Sequence, residues 1–207
     1  MRSTLYPHHC LLVKLLFLAG AFGMAGHAAT IFNFDNDNQG TATSFTDTVN
    51  GLSATFSSPA DPGGFSVQPG FFATLTGNVL GSPGPAFQNN VPLTIAFSAD
   101  LSAISLLFVT ADFNTPSPLT LAAYEGNTLV GTNSLPGALI AGFLFPEGEI
   151  AFSGATFNRV ELSAAAPNFA IDNVAVATAA ATPEPHSAWM LGLGLAALGI
   201  SAARRRA

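Results

Sequence analysis

Residues 92–98, Pro-Leu-Thr-Ile-Ala-Phe-Ser, put Leu93, Ile95 and Phe97 on one parity and Thr94, Ala96 and Ser98 on the other. A period of two is the signature of a strand with one buried face and one wet face. The pattern predicts further strands over 30–34, 43–49, 52–57, 71–76, 103–109, 119–124, 128–132, 150–153, 159–163 and 169–176. Turn signals fall between them: Ala99 to Ser102, Gly126-Asn127 beside Glu125, and Gly154-Ala155. The Pro/Gly-rich stretches 58–64 and 81–85 read as loops. No ten-residue window of this region has a 3.6-residue period. Short strands punctuated by turns predict an all-β fold, an antiparallel β-sandwich of jelly-roll type, over residues 29–176. Sixteen of the 18 phenylalanines lie in it and are expected between the two sheets.

The chemistry open to this body is narrow. Between Thr30 and Thr182 there is no Cys, His, Lys or Trp, and Arg159 is the only base among eleven Asp and Glu. Such an acidic surface excludes nucleic acid as a partner, which needs a basic footprint. Disulfides, Ser-His-Asp and Cys-His catalysis, and His-ligated zinc are excluded by residue absence. A two-carboxylate glycosidase is formally open, but no acidic pair stands out, and Glu147-x-Glu149 reads as an exposed loop. The body is expected not to be an enzyme.

Its last strand, Phe169-Ala-Ile-Asp-Asn-Val-Ala-Val176, changes phase at Asp172-Asn173: Phe169 and Ile171 share one parity, Val174 and Val176 the other. Either the strand is buried on both faces, or a bulge there re-aims the Asp172 carboxylate. A carboxylate inside a sheet needs a partner or a cation.

Both ends differ from the body. Residues 1–28 carry Arg2 and Lys14, an apolar stretch from Leu11 to Met24, and small residues at Gly26 and Ala28. That is the layout of a secretory signal, with signal peptidase expected to cut between Ala28 and Ala29. Its uninterrupted apolar run is short for a retained anchor. After a linker at 177–182 come Pro183-Glu184-Pro185, a charge-free run over 187–203, and Arg204, Arg205 and Arg206. As a helix the run would be about 25 Å long at 1.5 Å per residue, near the lower limit for a single transmembrane crossing. Trp189 suits the outer interface, and the three arginines stop transfer on the cytoplasmic side. The prolines keep the preceding segment extended and open to a processing enzyme.

This order of triplet, apolar run and arginine cluster resembles the PEP-CTERM sorting signal of Gram-negative, exopolysaccharide-producing bacteria. The resemblance implies recognition of Pro183, Glu184 and Pro185 by exosortase, a multi-spanning membrane protease or transpeptidase, and removal of residues 183–207 near that motif. It also implies a Sec-exported protein that pauses in the inner membrane and ends at the outer surface or in the extracellular, biofilm-type matrix. The body's ends, Ile31-Phe-Asn-Phe-Asp35 and Phe169-Ala-Ile-Asp-Asn-Val174, are similar to those of jelly-roll modules of the galactose-binding-like and carbohydrate-binding type. In such modules the terminal strands lie side by side, and acidic residues near both can hold a structural Ca²⁺.

Asp35-Asn-Asp-Asn-Gln-Gly40 resembles the start of a calcium loop. Gln39 at its fifth position and Thr46 at its twelfth rule out an EF-hand. Two readings stay open: a Ca²⁺ site formed by Asp35, Asp37 and Asp172, or a solvated turn whose Asn and Asp side chains cap backbone groups. Exopolysaccharide is a candidate ligand, although sugar platforms favour Trp and Tyr and the body offers only Tyr124. The expectation is an exported structural protein of the surface or matrix, with carbohydrate binding as the alternative.

Overall fold

The structure, a computed structural model, describes residues 29–82, 91–112, 117–166 and 168–179. Every regular element among them is a strand: β1 (Thr30–Phe32), β2 (Phe45–Val49), β3 (Leu52–Ser57), β4 (Ser66–Pro69), β5 (Asn78–Gly81), β6 (Leu93–Thr110), β7 (Pro118–Glu125), β8 (Thr128–Pro136), β9 (Ala138–Leu139), β10 (Pro146–Ala164) and β11 (Phe169–Thr178). All pairings are antiparallel, in the order β4-β5-β11-β6-β10-β7-β8, with β1 on β11 and β2-β3 on β6.

Two long strands make this sheet into a sandwich. β6 and β10 run together, and their register slips between Ser153 and Phe157 and again before Arg159. Before the slip β10 lies beside the part of β6 that pairs with β11; after it, beside the part that pairs with β3. The expected turn at Ala99 to Ser102 is therefore a bend within β6. Gly154, at φ 101°, supplies a backbone conformation there that other residues rarely adopt.

Alternating side chains fill the space between the layers. Leu93, Ile95 and Phe97 are buried as their period requires, as are Leu119, Leu121 and Ala123 on β7. Phe32, Phe34, Phe45, Phe56 and Phe97 form an aromatic cluster; Phe34 meets Phe56 edge-on at 5.3 Å, and Phe45 stacks on Phe56 at 5.2 Å. Such contacts add about 0.5–1.5 kcal/mol per pair to the burial itself. Gly126-Asn127 joins β7 to β8 as a two-residue turn.

Three expectations need correction. Residues 71–76 are a loop, not a strand; it lies between β4 and β5, pairing strands the alternation did not reveal. β11 runs through Ala177 and Thr178, which pair with Ala103 and Leu101, so the body extends into the expected linker. Ala179 then donates to the Asp100 carbonyl at 2.8 Å. Glu147 is not in an exposed loop but buried on β10. The signal segment 1–28, with Ala28, lies outside the described residues, as do the 187–203 run, Pro183, Glu184, Pro185, Arg204, Arg205 and Arg206. Ala29 is described, and is exposed beside β1. Among the described residues no helix is long and apolar enough to cross a membrane.

Candidate functional site

The acidic corner forms where the terminal strands meet. β1 pairs with β11 in the register Thr30↔Val176 to Phe32↔Val174, which carries the turn after β1 to the level of Asp172. Both alternatives for the phase change hold. Phe169 to Asp172 are buried on both faces, and the β11–β6 register slips between Asp172 and Ala175, with Asn173 at φ 50°. Asp172 is 1% exposed. Its Oδ1 accepts the Asn173 amide at 2.7 Å and its Oδ2 the Asn173 side-chain amide at 3.3 Å. Burial raises its pKa from 3.8 to about 6; the Asn173 amide opposes that rise and the charge of Asp35 adds to it.

Sequence reasoning missed the organiser of the adjoining turn, Asn78. Its backbone N–H donates to Asp35 Oδ1 at 2.8 Å, and its side-chain amide donates to the carbonyls of Phe34 and Asp37. Asp37 has a raised pKa, first from burial and then from the charge of Asp47, and its Oδ2 is buried with no hydrogen-bond partner among the described residues. The corner thus holds two like-charge pairs, Asp35 with Asp172 and Asp37 with Asp47. Among the described residues no three Asp, Glu, His or Cys side chains group so as to hold a metal ion.

A second construction stands on the outer face of the sheet. The 70–77 loop lies over the ends of β6 and β11, where Leu75, Val79, Val109 and Ala170 form a small separate core beneath Phe72 and Phe145. Glu147 fastens this loop. Its carboxylate accepts the amides of Ala73 (2.8 Å) and Thr74 (2.6 Å) and the Thr74 hydroxyl (2.5 Å). The fastening holds Phe71 and Phe72 against the 142–145 loop, around a shallow concavity. Phe72 and Phe145, rings 6.3 Å apart, also line a small neighbouring apolar concavity with Gln68, Ser82 and Asn168.

A third concavity runs across β6, β10 and β11 and is floored by small side chains such as Ala103, Ser105, Ala151 and Ala175. No acidic residue lines any of the three. Tyr124 faces none of them; the Arg159 guanidinium covers its ring at 4.1 Å from the centroid.

No curated protein matches the chain. Among solved structures it is similar to the K2 cleaved adhesin domain of Lys-gingipain (14% identity, 73% of this chain and 99% of that one, TM-score 0.43). It is also similar to a family 6 carbohydrate-binding module (11%, 74% and 95%, TM-score 0.39). A third is the CBM22-1 xylan-binding domain of Xyn10C from Paenibacillus barcinonensis (12%, 76% and 100%, TM-score 0.38). At TM-scores below 0.5 these likenesses carry nothing about ligand or activity. The family model for the PEP-CTERM protein-sorting motif matches residues 181–206. The chain therefore carries a PEP-CTERM protein-sorting motif behind an all-β body.

Proposed function

We propose that this is an exported surface or matrix protein whose tail delivers it and whose body serves structurally, without catalysis. The observation that carries the reading is the sorting motif at residues 181–206. An exosortase-type enzyme would recognise Pro183, Glu184 and Pro185 while the 187–203 run holds the chain in the inner membrane. Signal peptidase would already have cut between Ala28 and Ala29.

Two features support a body without catalysis. Glu147, one member of the Glu147-x-Glu149 pair, has its carboxylate committed to three hydrogen bonds. Asp172 has a raised pKa, but it is buried under the bulge and lines none of the three concavities described above. General acid–base work needs the group within reach of substrate.

The test is fractionation of cells expressing the chain with Pro183→Ala and Glu184→Ala together. The variant should accumulate in the inner membrane while the unaltered chain reaches the outer surface. Equal export of both would contradict the reading. The alternative, binding of neutral exopolysaccharide, is favoured by the small-residue groove across β6, β10 and β11. Ala151→Arg within it should abolish retention on an exopolysaccharide column if the alternative holds.

A further inference from the structure

The match to the sorting motif begins at residue 181. The folded body ends just before it. Ala177 pairs with Ala103 and Thr178 with Leu101, and the Ala179 amide donates to the Asp100 carbonyl at 2.8 Å. Ala180 alone separates this last sheet contact from the matched segment. Each further residue extends the chain by at most about 3.6 Å. Residue 181 therefore lies within roughly 7 Å of Ala179, and Pro183 within roughly 14 Å.

That reach is short against the size of what must fit. A multi-spanning membrane enzyme is built of helices, each about 10–12 Å across with its side chains. No such helix passes between the body and residue 181 while Ala179 stays bonded, and Pro183 clears one only at full extension. Release of Ala177, Thr178 and Ala179 moves the fixed point back to Val176 and lets Pro183 reach roughly 25 Å away.

The two sides of the contact are unequal. On β6, Leu101 is fully buried and also pairs with Phe157 of β10, so it stays. On β11, Val176 is the last buried side chain, and Ala177, Thr178 and Ala179 are half-buried. The register slips between Ala177 and Thr178, which leaves Ser102 of β6 without an opposite residue. Its hydroxyl donates to the carbonyls of Ala177 and Thr178 at 3.4 and 3.3 Å, both long. A strand end held by main-chain bonds beside a bulge, with no apolar anchor, opens locally before the rest of the sheet does.

We propose that the end of β11 is a latch on the sorting motif: removal of the tail passes through a state in which Ala177 to Ala179 have left β6. Asp100 and Ser102 are positioning residues of this latch and touch no reacting atom. The inference rests on the tail reading above. It adds that the folded body, and not the motif alone, sets how fast the tail is removed.

Locking the latch tests this. Ala103 and Ala177 lie directly opposite one another in an antiparallel pair, a separation that a disulfide bridges. Ala103→Cys with Ala177→Cys is placed in the full chain together with Cys10→Ser, which removes the only native cysteine. It is expressed beside the parent chain in exosortase-bearing cells, where the exported compartment oxidises the pair. In a pulse-chase the locked chain should keep its tail about tenfold longer than the parent, while Ala177→Cys alone follows the parent. Inserting Gly-Ser-Gly-Ser between Ala179 and Ala180 of the locked chain should restore trimming, since the added reach replaces the release. Trimming of the locked chain at the parent's rate overturns the inference, because the motif is then read with β11 closed. A lengthened locked chain that stays untrimmed also overturns it, because reach is then not what limits. A parent chain that is never trimmed contradicts the tail reading itself and removes this inference with it.

Discussion

Glu147 on β10 accepts both the amide of Thr74, at 2.6 Å, and its hydroxyl, at 2.5 Å, across 73 residues of sequence. A buried charge is tolerated only where its oxygens are satisfied, and here three donors converge on one carboxylate. Glu147→Gln keeps the shape but turns an N–H₂ toward donors. The expected loss is about 2 kcal/mol, seen as a fall of roughly 5 °C in melting temperature. A variant that melts with the parent would show that the 70–77 loop is held by its apolar contacts alone.

Asp172 makes stability depend on pH in an unusual direction. Its pKa is higher folded than unfolded, so the folded state favours the neutral carboxyl. That contribution is complete below about pH 3.8 and is lost as pH rises through about 6. The difference corresponds to on the order of 3 kcal/mol. Other carboxylates contribute slopes of their own, so the informative comparison is with Asp172→Asn. The variant should be more stable than the parent at pH 7.5, and the gap should close by pH 4. Urea denaturation at both pH values measures it, and a gap independent of pH would contradict the assignment.

The same corner sets the test of the calcium reading. The charge of Asp35 bears on Asp172 and that of Asp47 on Asp37, and among the described residues no three Asp, Glu, His or Cys side chains group so as to hold a metal ion. EDTA should leave the melting temperature of the purified body unchanged. A fall of several degrees, restored by Ca²⁺ and absent in Asp172→Asn, would mean that carbonyl oxygens complete a site around one pair.

Arg159 donates to the Gly126 carbonyl at 3.2 Å while its guanidinium lies over Tyr124. This contact ties the β7–β8 turn to β10. A double-mutant cycle of Arg159→Ala and Tyr124→Leu should give a coupling of about 0.5–1 kcal/mol. Zero coupling would leave the carbonyl hydrogen bond as the whole of the arginine's role.

The sequence displayed what is periodic or adjacent. Leu93, Ile95 and Phe97 announced a strand because its neighbours bury only one face, and the phase change at Asp172-Asn173 announced the bulge because it disrupts that alternation. What stayed hidden depends on partners far along the chain. Phe71 to Thr76 alternates well enough to pass for a strand. Its fate was set by Gly70 and Gly77 on either side and by the buried carboxylate of Glu147, whose neighbours in sequence suggest only a solvated loop. Asn78 gave no signal either, since its donors are organised by the turn it serves. Asp35 and Asp172 were rightly brought to one corner by the pairing of the terminal strands. Whether carboxylates in one corner converge on a point is decided by side-chain geometry that spacing does not encode.

Intact mass spectrometry of the protein recovered outside the cell reads the fate of the tail. The expected species begins at Ala29 and ends near Pro185, without the apolar run or Arg204 to Arg206. A chain that keeps its C-terminus and is found only in the membrane would contradict it, and would make residues 183–207 a permanent anchor.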